Sequence, residues 1–213
     1  MNHLIITRHG QSQWNLENRF TGWEDVDLTA AGEAEARLAG ELIKDFHIDA
    51  VFSSTLKRAI RTVEIALESA AAAGGRFEHL RSGDGWNVTK HDDLRERHYG
   101  DLVGLNKAET AEKYGEEQVH LWRRGFEVQP PNGESLADVV VRVRPCYETV
   151  IEPLVAAGKN ILVSAHGNSL RALLLILGEY TAEEITSVEL PTGRPLVFDF
   201  ENGVKQKSYY LGE

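Results

Sequence analysis

Short apolar runs that stop at a polar or glycine residue recur along the chain and predict buried strands. One run covers residues 4–7 and leads directly into Arg8-His9-Gly10. Similar runs cover residues 50–52, before two serines, and residues 160–165, before His166-Gly167. Continuous apolar runs of this length are typical of strands covered on both faces, as in parallel sheets. The pattern therefore predicts three strands of a largely parallel sheet.

Apolar positions at helical spacing lie between these runs. One stripe begins behind Thr29, a good N-cap residue, and continues to about residue 45. A longer stripe covers residues 56–73 and stops at two glycines. Residues 135–156 lead into the third strand and residues 170–177 follow it, again with helical spacing. Alternating strands and helices predict crossover connections, which keep the strands parallel and place helices on the faces of the sheet.

The end of the chain breaks this alternation. Residues 195–200 and 205–210 flank Glu201-Asn202-Gly203, and the Asn-Gly pair favours the tight turn of a β-hairpin. We therefore expect a mixed but mostly parallel central sheet with helices on both faces, in a three-layer α/β/α arrangement. The chain shows no repeat and no linker composition, so residues 1–213 are predicted to form a single α/β domain.

The amino-acid composition limits the kinds of ligand that the protein can bind and the cellular compartment in which we expect it. The 213 residues are 42% hydrophobic and 26% charged, which is typical of soluble globular proteins, and the net charge of −10 argues against nucleic-acid or anionic-membrane binding. An anionic ligand must therefore meet a local basic cluster. Cys146 is the single cysteine, which excludes an intrachain disulfide. No segment has the pattern of a signal peptide or a membrane span, so we expect a cytoplasmic protein.

Two histidines occupy positions that suit a ligand site. His9 and His166 each follow a predicted strand and each precede a glycine. Ligands of open α/β sheets bind beyond the carboxyl ends of the strands, so both side chains could face one pocket. A lone histidine is more often a hydrogen-bonded structural residue, and for either histidine alone that alternative stays open. Together with Arg8 and Arg58, the two histidines indicate an anion-binding site.

Longer motifs around these residues resemble a known family. The segment Arg8-His9-Gly10-Gln11-Ser12-Gln13-Trp14-Asn15 resembles the signature of the histidine phosphatase superfamily. Its continuation, Asn18-Arg19-Phe20-Thr21-Gly22-Trp23, resembles the cofactor-dependent phosphoglycerate mutase branch. The resemblance continues at residues 56–59, 96–100, 104–110, 122–125, 165–171, 191–193 and 209–212. It therefore covers nearly the whole chain.

The resemblance implies a phosphoglycerate mutase-like fold and an isomerase of glycolysis and gluconeogenesis, which interconverts 3-phosphoglycerate and 2-phosphoglycerate through a phosphohistidine. It implies 2,3-bisphosphoglycerate as the primer and no metal. The implied catalytic residues are His9 as nucleophile, Glu96 as proton donor and acceptor, His166 as transition-state stabiliser, and Arg8 and Arg58. The implied substrate-binding residues are Arg8, Gly10, Gln11, Ser12, Gln13, Trp14, Asn15, Thr21, Gly22, Arg58, Glu96, Arg97, His98, Tyr99, Lys107, Arg123, Arg124, Gly167 and Asn168.

The residue types suit that chemistry. Phosphoryl transfer needs positive charge at the equatorial oxygens, which Mg²⁺ supplies in many enzymes. The chain offers no convincing magnesium site, so Arg8 and Arg58 are expected to take this role, with His166 and the N–H groups after Gly10 as further donors. As nucleophile, His9 must be neutral, with its second ring nitrogen held by a backbone carbonyl such as that of Gly10. Phosphate charge should favour the cationic form of His166. Only the resemblance disfavours an exchange of the two histidines' roles.

Transfer also needs a general acid with a raised pKa, for which Glu96 is the candidate. Some acid phosphatases of the superfamily carry an Asp directly after the second histidine, where this chain has Gly167. From spacing alone, Glu96 could instead be an ion-pair partner of Arg95 or Arg97.

Two other functions stay open. A histidine phosphatase that hydrolyses small phosphomonoesters is favoured by the short connection from residue 130 to residue 135. It is also favoured by the end of the chain just after residue 212, where longer members carry a tail near the site. A non-catalytic phospho-ligand binding module is the other alternative, and spacing alone allows Lys107 and Arg123-Arg124 to be solvated surface charges. We expect mutase activity on small anionic phosphoglycerates to dominate. The oligomeric state is not readable from the sequence, and a homodimer is the working expectation.

Overall fold

The computed structural model describes residues 1–212 and places a six-stranded sheet at the centre of the protein. In chain order the strands are β1 (Asn2–Arg8), β2 (Ala50–Ser54), β3 (Arg81–Ser82), β4 (Gly85–Trp86), β5 (Val88–His91), β6 (Ile161–Ala165), β7 (Leu196–Glu201) and β8 (Val204–Tyr210). Strands β3 and β4 form a separate small hairpin, and the order in the main sheet is β5-β2-β6-β1-β7-β8. The three predicted buried strands and both strands of the terminal hairpin are confirmed.

The directions of the strands make the sheet mixed. Strand β6 runs parallel to β1 and β2, and β2 runs parallel to β5. Strand β7 is antiparallel to both β1 and β8. The loop between β7 and β8 is the predicted Asn-Gly turn, in which Asn202 has φ 52° and Gly203 has φ 77°. Two successive positive φ angles match the twist of the strands that such a turn joins.

The helices connect these strands. Within the described residues they are α1 (Gln13–Leu16), α2 (Ala30–Ile43), α3 (Lys57–Ala72), α4 (Lys107–Tyr114), α5 (Glu116–Arg124), α6 (Leu136–Cys146), α7 (Glu152–Ala156) and α8 (Gly167–Ile176). Thr29 caps α2 as predicted, because its hydroxyl accepts the backbone N–H of Gly32 at 3.1 Å. None of the helices in residues 1–212 is both long and apolar enough to cross a bilayer.

Alternate side chains of β1 point into two apolar cores, one on each face of the sheet. Leu4 and Ile6 pack in the larger core with Val143 of α6 and with α8. Ile5 points the other way and packs with Val63 of α3 and with α2. Helices α6 and α8 therefore cover one face and α2 and α3 cover the other. This confirms the predicted three-layer α/β/α arrangement.

The predicted helix over residues 135–156 is confirmed in its bounds, but its middle is not α-helical. A wide π-helical turn, Tyr147–Ile151, separates α6 from α7. Pro153 has no N–H to donate to the carbonyl of Thr149, and its ring would crowd that carbonyl in an α-helix. The wider turn removes this conflict.

The predicted start of the last helix is also wrong, and the difference affects the site. Helix α8 begins at Gly167 and not at residue 170. The backbone N–H of His166 donates to the hydroxyl of Ser169 at 3.1 Å, which closes the first turn directly behind the strand. His166 is therefore the N-cap residue of α8.

Candidate active site

The two histidines lie side by side because their strands are neighbours. Arg8 at the end of β1 pairs with Ala165 at the end of β6, and each histidine is the next residue. The backbone N–H of His9 donates to the carbonyl of Ala165 at 3.0 Å. The ring centroids of His9 and His166 are 4.9 Å apart. The two rings are therefore neighbours as expected, but only His9 lines the cavity described below, and His166 is buried behind its wall.

His9 is held as a neutral imidazole. Its Nδ1 lies 2.7 Å from the carbonyl oxygen of Gly10, so Nδ1 carries the proton and donates it to that oxygen. Its Nε2 accepts the Nε–H of Arg58 at 3.3 Å. Burial, and then the charges of Arg58 and Arg8, hold the pKa of His9 well below its usual value. The lone pair of a nucleophile is therefore available on Nε2 at neutral pH.

Arg58 is a fixed cation beside this nitrogen. Its Nη1 donates to the carbonyl of Glu24 and its Nη2 to the carbonyl of Gly22, both at 2.8 Å. Burial lowers the pKa of Arg58 to about 10, so the guanidinium stays charged at neutral pH. Its position is set by carbonyls and not by an ion pair, and the carboxylates of Glu96 and Asp25 offset its charge without bonding to it.

Two further donors in the site have no acceptor within residues 1–212, namely the Nε of Arg8 and the Nδ1 of His166. The Nε2 of His166 lies 2.7 Å from the hydroxyl of Ser54, which also accepts the N–H of Leu56. The Ser54 hydroxyl can donate its own proton only to Nε2 of His166. Nε2 is then an acceptor, so the imidazole proton lies on Nδ1. A buried donor without an acceptor costs about 1–3 kcal/mol. The pair of donors is therefore suited to an incoming anion.

The expected cationic form of His166 does not hold among the protein's own charges. Burial, followed by Arg58, His9 and Arg8, lowers the pKa of His166 well below its usual value. The reason is that the neighbouring groups are cations, whereas the expectation assumed a neighbouring phosphate. His166 is thus a neutral hydrogen-bond donor through Nδ1.

Glu96 accepts three hydrogen bonds on one carboxylate oxygen. They come from the backbone N–H of Arg97 at 2.7 Å, the backbone N–H of Asn168 at 3.1 Å and the Asn168 amide at 2.9 Å. The alternative of an ion pair with Arg97 does not match the structure, because that guanidinium donates to the carbonyl of Trp122 and to the Asn168 side chain.

The raised pKa that we expect of Glu96 near anionic ligands is not present in the site by itself. Burial acts to raise the pKa, but the hydrogen bonds from Arg97 and Asn168 and the charges of Arg58 and Arg8 outweigh it. The pKa therefore lies below its ordinary value, and the carboxylate is ionised at neutral pH. An anion that offset Arg58 and Arg8 would remove part of the lowering and leave burial to raise the pKa.

The cavity around these groups is strongly cationic, although the whole chain carries a net charge of −10. Seven cationic side chains and two carboxylates line it. The lining consists of Arg8, His9, Asn15, Arg19, Thr21, Gly22, Arg58, Glu96, Tyr99, Lys107, Arg123, Arg124, Gly167, Asn168, Arg171 and Glu189. Burial and the charge of Arg123 lower the pKa of Lys107 to about 8. This is the local basic cluster that an anionic ligand requires.

Three of the lining residues were not among the predicted site residues: Arg19, Arg171 and Glu189. Arg19 and Arg171 lie inside family-like motifs, and Arg171 stands four residues after Gly167 on α8, which brings it to the same helix face. That spacing was a usable signal. Glu189 lies in an irregular segment before β7, and nothing in its local sequence indicates the site.

Several predicted site residues do not line the cavity: the catalytic candidate His166 and the binding candidates Gly10, Gln11, Ser12, Gln13, Trp14, Arg97 and His98. The N–H groups expected to face the phosphate are bonded within the protein. That of Gly10 donates to the hydroxyl of Thr62 at 3.0 Å and that of Gln11 to Glu35 at 2.7 Å. This segment packs tightly on the start of α2, since a Cβ on Gly10 would lie 2.2 Å from the carbonyl oxygen of Gly32. The segment that follows His9 therefore holds this residue in place and does not face the cavity.

The described residues contain no group of three or more His, Cys, Asp or Glu side chains arranged to hold a metal ion.

Acid pH is expected to destabilise the fold through the two buried histidines. Both pKa values lie below 6.5 in the folded protein, so the unfolded chain binds protons first as the pH falls through that value. The free energy of unfolding should fall between pH 7 and pH 5, by up to about 1.4 kcal/mol per pH unit for each imidazole. Urea unfolding in buffer without phosphate or sulfate measures this slope. His166→Asn should reduce it, and an unfolding free energy that is constant over this range would contradict the assignment.

Comparison with known proteins identifies the family of the chain. Residues 4–210 match the Histidine phosphatase superfamily (branch 1). A protein of Novosphingobium aromaticivorans, named 2,3-bisphosphoglycerate-dependent phosphoglycerate mutase, is 48% identical over 238 residues, with 100% of both chains covered. YhfR of Bacillus stearothermophilus has a TM-score of 0.78 at 25% identity, over 97% of this chain and 95% of that chain. A mycobacterial glucosyl-3-phosphoglycerate phosphatase, solved as a complex with VO3, has a TM-score of 0.75 at 25% identity, over 93% of each chain. The motif resemblance is therefore confirmed, and the chain belongs to the histidine phosphatase superfamily.

Proposed function

We propose that this protein interconverts 3-phosphoglycerate and 2-phosphoglycerate, with His9 as the carrier of the phosphoryl group. One observation carries the proposal: the neutral imidazole of His9 lines the cavity, and beside it the buried Nε of Arg8 and Nδ1 of His166 have no acceptor among the described residues. The names of the most similar relatives support the same reaction. A mycobacterial phosphatase of the same fold was solved with VO3, which supports an oxyanion as the ligand of this cavity.

The cavity suits a ligand with more than one anionic group. Arg58 and His166 lie directly beside His9, and Arg8 lines the cavity with His9 and Arg58. Lys107, Arg123 and Arg124 provide positive charge that a single phosphate would not need. This excess fits 2,3-bisphosphoglycerate, which when bound supplies the phosphoryl group that primes His9.

The residues of the site have different roles in the transfer. When the substrate hydroxyl attacks the phosphoryl group on His9, the N–P bond breaks as the O–P bond forms, and Glu96 accepts the hydroxyl proton. In the second transfer, the Nε2 lone pair of His9 forms the N–P bond at the other phosphate, and Glu96 returns the proton to the leaving oxygen. Arg8, Arg58 and the Nδ1–H of His166 stabilise the equatorial oxygens in both directions. The two transfers together leave the proton count unchanged.

A direct assay tests the proposal. Purified protein is mixed with 3-phosphoglycerate and a catalytic amount of 2,3-bisphosphoglycerate in EDTA, and phosphorus NMR follows 2-phosphoglycerate and free phosphate. We expect 2-phosphoglycerate to form faster than free phosphate, because the cations of the cavity supply the charge that a metal would supply. Faster release of phosphate would indicate a phosphatase, and loss of activity in EDTA would refute the metal-free mechanism. Ligand binding without either product would indicate a binding module.

A further inference from the structure

Glu189 places a carboxylate of the protein at the arginines of the cavity. It forms an ion pair with the Nη2 of Arg124, and its second oxygen lies 3.6 Å from the Nη2 of Arg171. Both arginines line the cavity together with Glu189. The carboxylate therefore sits where an anionic group of a ligand would meet the same two guanidinium groups.

The backbone on either side of Glu189 fixes it at this place. The carbonyl of Val188 accepts the Nε–H of Arg171 at 2.8 Å, and the carbonyl of Leu190 accepts an Nη1–H of Arg8 at 2.9 Å. Two cavity arginines thus hold the segment from both sides. The position of Glu189 is a built feature of the site and not a chance surface contact.

The carboxylate is the more easily displaced partner of the pair. The side chain of Glu189 is 65% exposed, whereas those of Arg124 and Arg171 are 18% and 7% exposed. Because the carboxylate is exposed to water, the ion pair contributes little to stability, and a ligand can replace the carboxylate at low cost. The arginines would stay in place while the glutamate moves into solvent.

We propose that Glu189 determines anion specificity, as a tethered carboxylate that competes with the ligand's distal anionic group for Arg124 and Arg171. The inference rests on the proposed function, since it concerns ligands with a second anionic group. After displacement, the negative charge of Glu189 stays near the ligand's distal anionic group. The repulsion between the two increases with the negative charge of that group. Glu189 therefore weakens binding of the bisphosphate more than binding of a monophosphoglycerate.

Calorimetric titration of three ligands tests this without any turnover when every variant carries His9→Asn as well, because that background cannot accept the phosphoryl group. Glu189→Gln keeps the size of the side chain and removes its charge. We expect it to tighten binding of 2,3-bisphosphoglycerate about tenfold and of 3-phosphoglycerate about threefold, with inorganic phosphate changed less than about twofold. Glu183→Gln is the matched control, because Glu183 lies exposed in the same chain segment outside the cavity lining and carries the same charge. It should leave all three affinities unchanged.

A double-mutant cycle tests whether Glu189 and the ligand compete for Arg124. In an Arg124→Gln background, Glu189→Gln should tighten bisphosphate binding much less, because the contested partner is gone. If Glu189→Gln tightened the binding of all three ligands equally, Glu189 would act only through its general electrostatic field and would not determine specificity. Unchanged or weaker bisphosphate binding would also overturn the proposal. Because the readout is binding, a protein without mutase activity would still give a clear result for Glu189.

Discussion

His9→Asn is expected to abolish phosphoenzyme formation and to lower mutase turnover by about 10⁵-fold or more, the scale seen when a covalent nucleophile is removed. The physical reason is that an amide nitrogen has no basic lone pair to form a bond to phosphorus. The fold should persist, because the backbone N–H at this position keeps its bond to the carbonyl of Ala165. Acid-stable and acid-labile phosphate on the protein, measured after mixing with labelled 2,3-bisphosphoglycerate, reports the effect directly.

The control for this variant is His47→Asn, a change of the same type at an exposed histidine outside the cavity lining. It should be labelled like the unmodified protein. Labelling that persisted in His9→Asn would move the nucleophile to another residue. His166 would then be the first residue to test, since its ring lies 4.9 Å from that of His9.

Glu96→Gln is expected to lower kcat by about 10³-fold while substrate binding survives, because a positioned acid or base contributes on that scale. A glutamine oxygen can still accept the hydrogen bonds from Arg97 and Asn168, so the local geometry should hold. It cannot carry the proton between the two substrate oxygens. Removal of the negative charge also leaves Arg8 and Arg58 less compensated, so anion affinity should stay equal or increase.

Rapid-quench measurement of the transfer step, together with KM, separates these effects. Glu112→Gln, at an exposed position of α4, is the matched control and should behave like the unmodified protein. A kcat within about threefold of the unmodified enzyme would assign proton transfer to another group, since general acid–base catalysis is worth far more than that.

Hydrophobic patterning predicted the elements that carry His9 and His166, because buried parallel strands leave a clear apolar signature. Strand β5 gave no such signature, since Val88–His91 pairs on one side only and is mostly polar. Helices α4 and α5 were likewise not predicted: few of their residues are buried, so little apolar periodicity is needed to hold them.

The motifs predicted most of the residues that line the cavity, but not the electrostatics of the site. Arg8, Arg58, Glu96 and the histidines all lie in recognisable motifs. The protonation states of Glu96 and His166 depend on which charges and donors surround each group in three dimensions, and no spacing in the sequence encodes that. Glu189 escaped prediction for the same reason, because only the folded chain brings it to Arg124.

The position of β1 inside the sheet has a consequence for biosynthesis. This strand is made before the other strands of the sheet, yet its neighbours β6 and β7 follow it by more than 150 residues. Pairing at such long sequence separation is slow, and a growing chain must keep its first strand uncommitted until residues 161–201 have left the ribosome. The phosphate site therefore arises only at the final stage of folding, so an incomplete chain cannot bind the ligands of the finished enzyme.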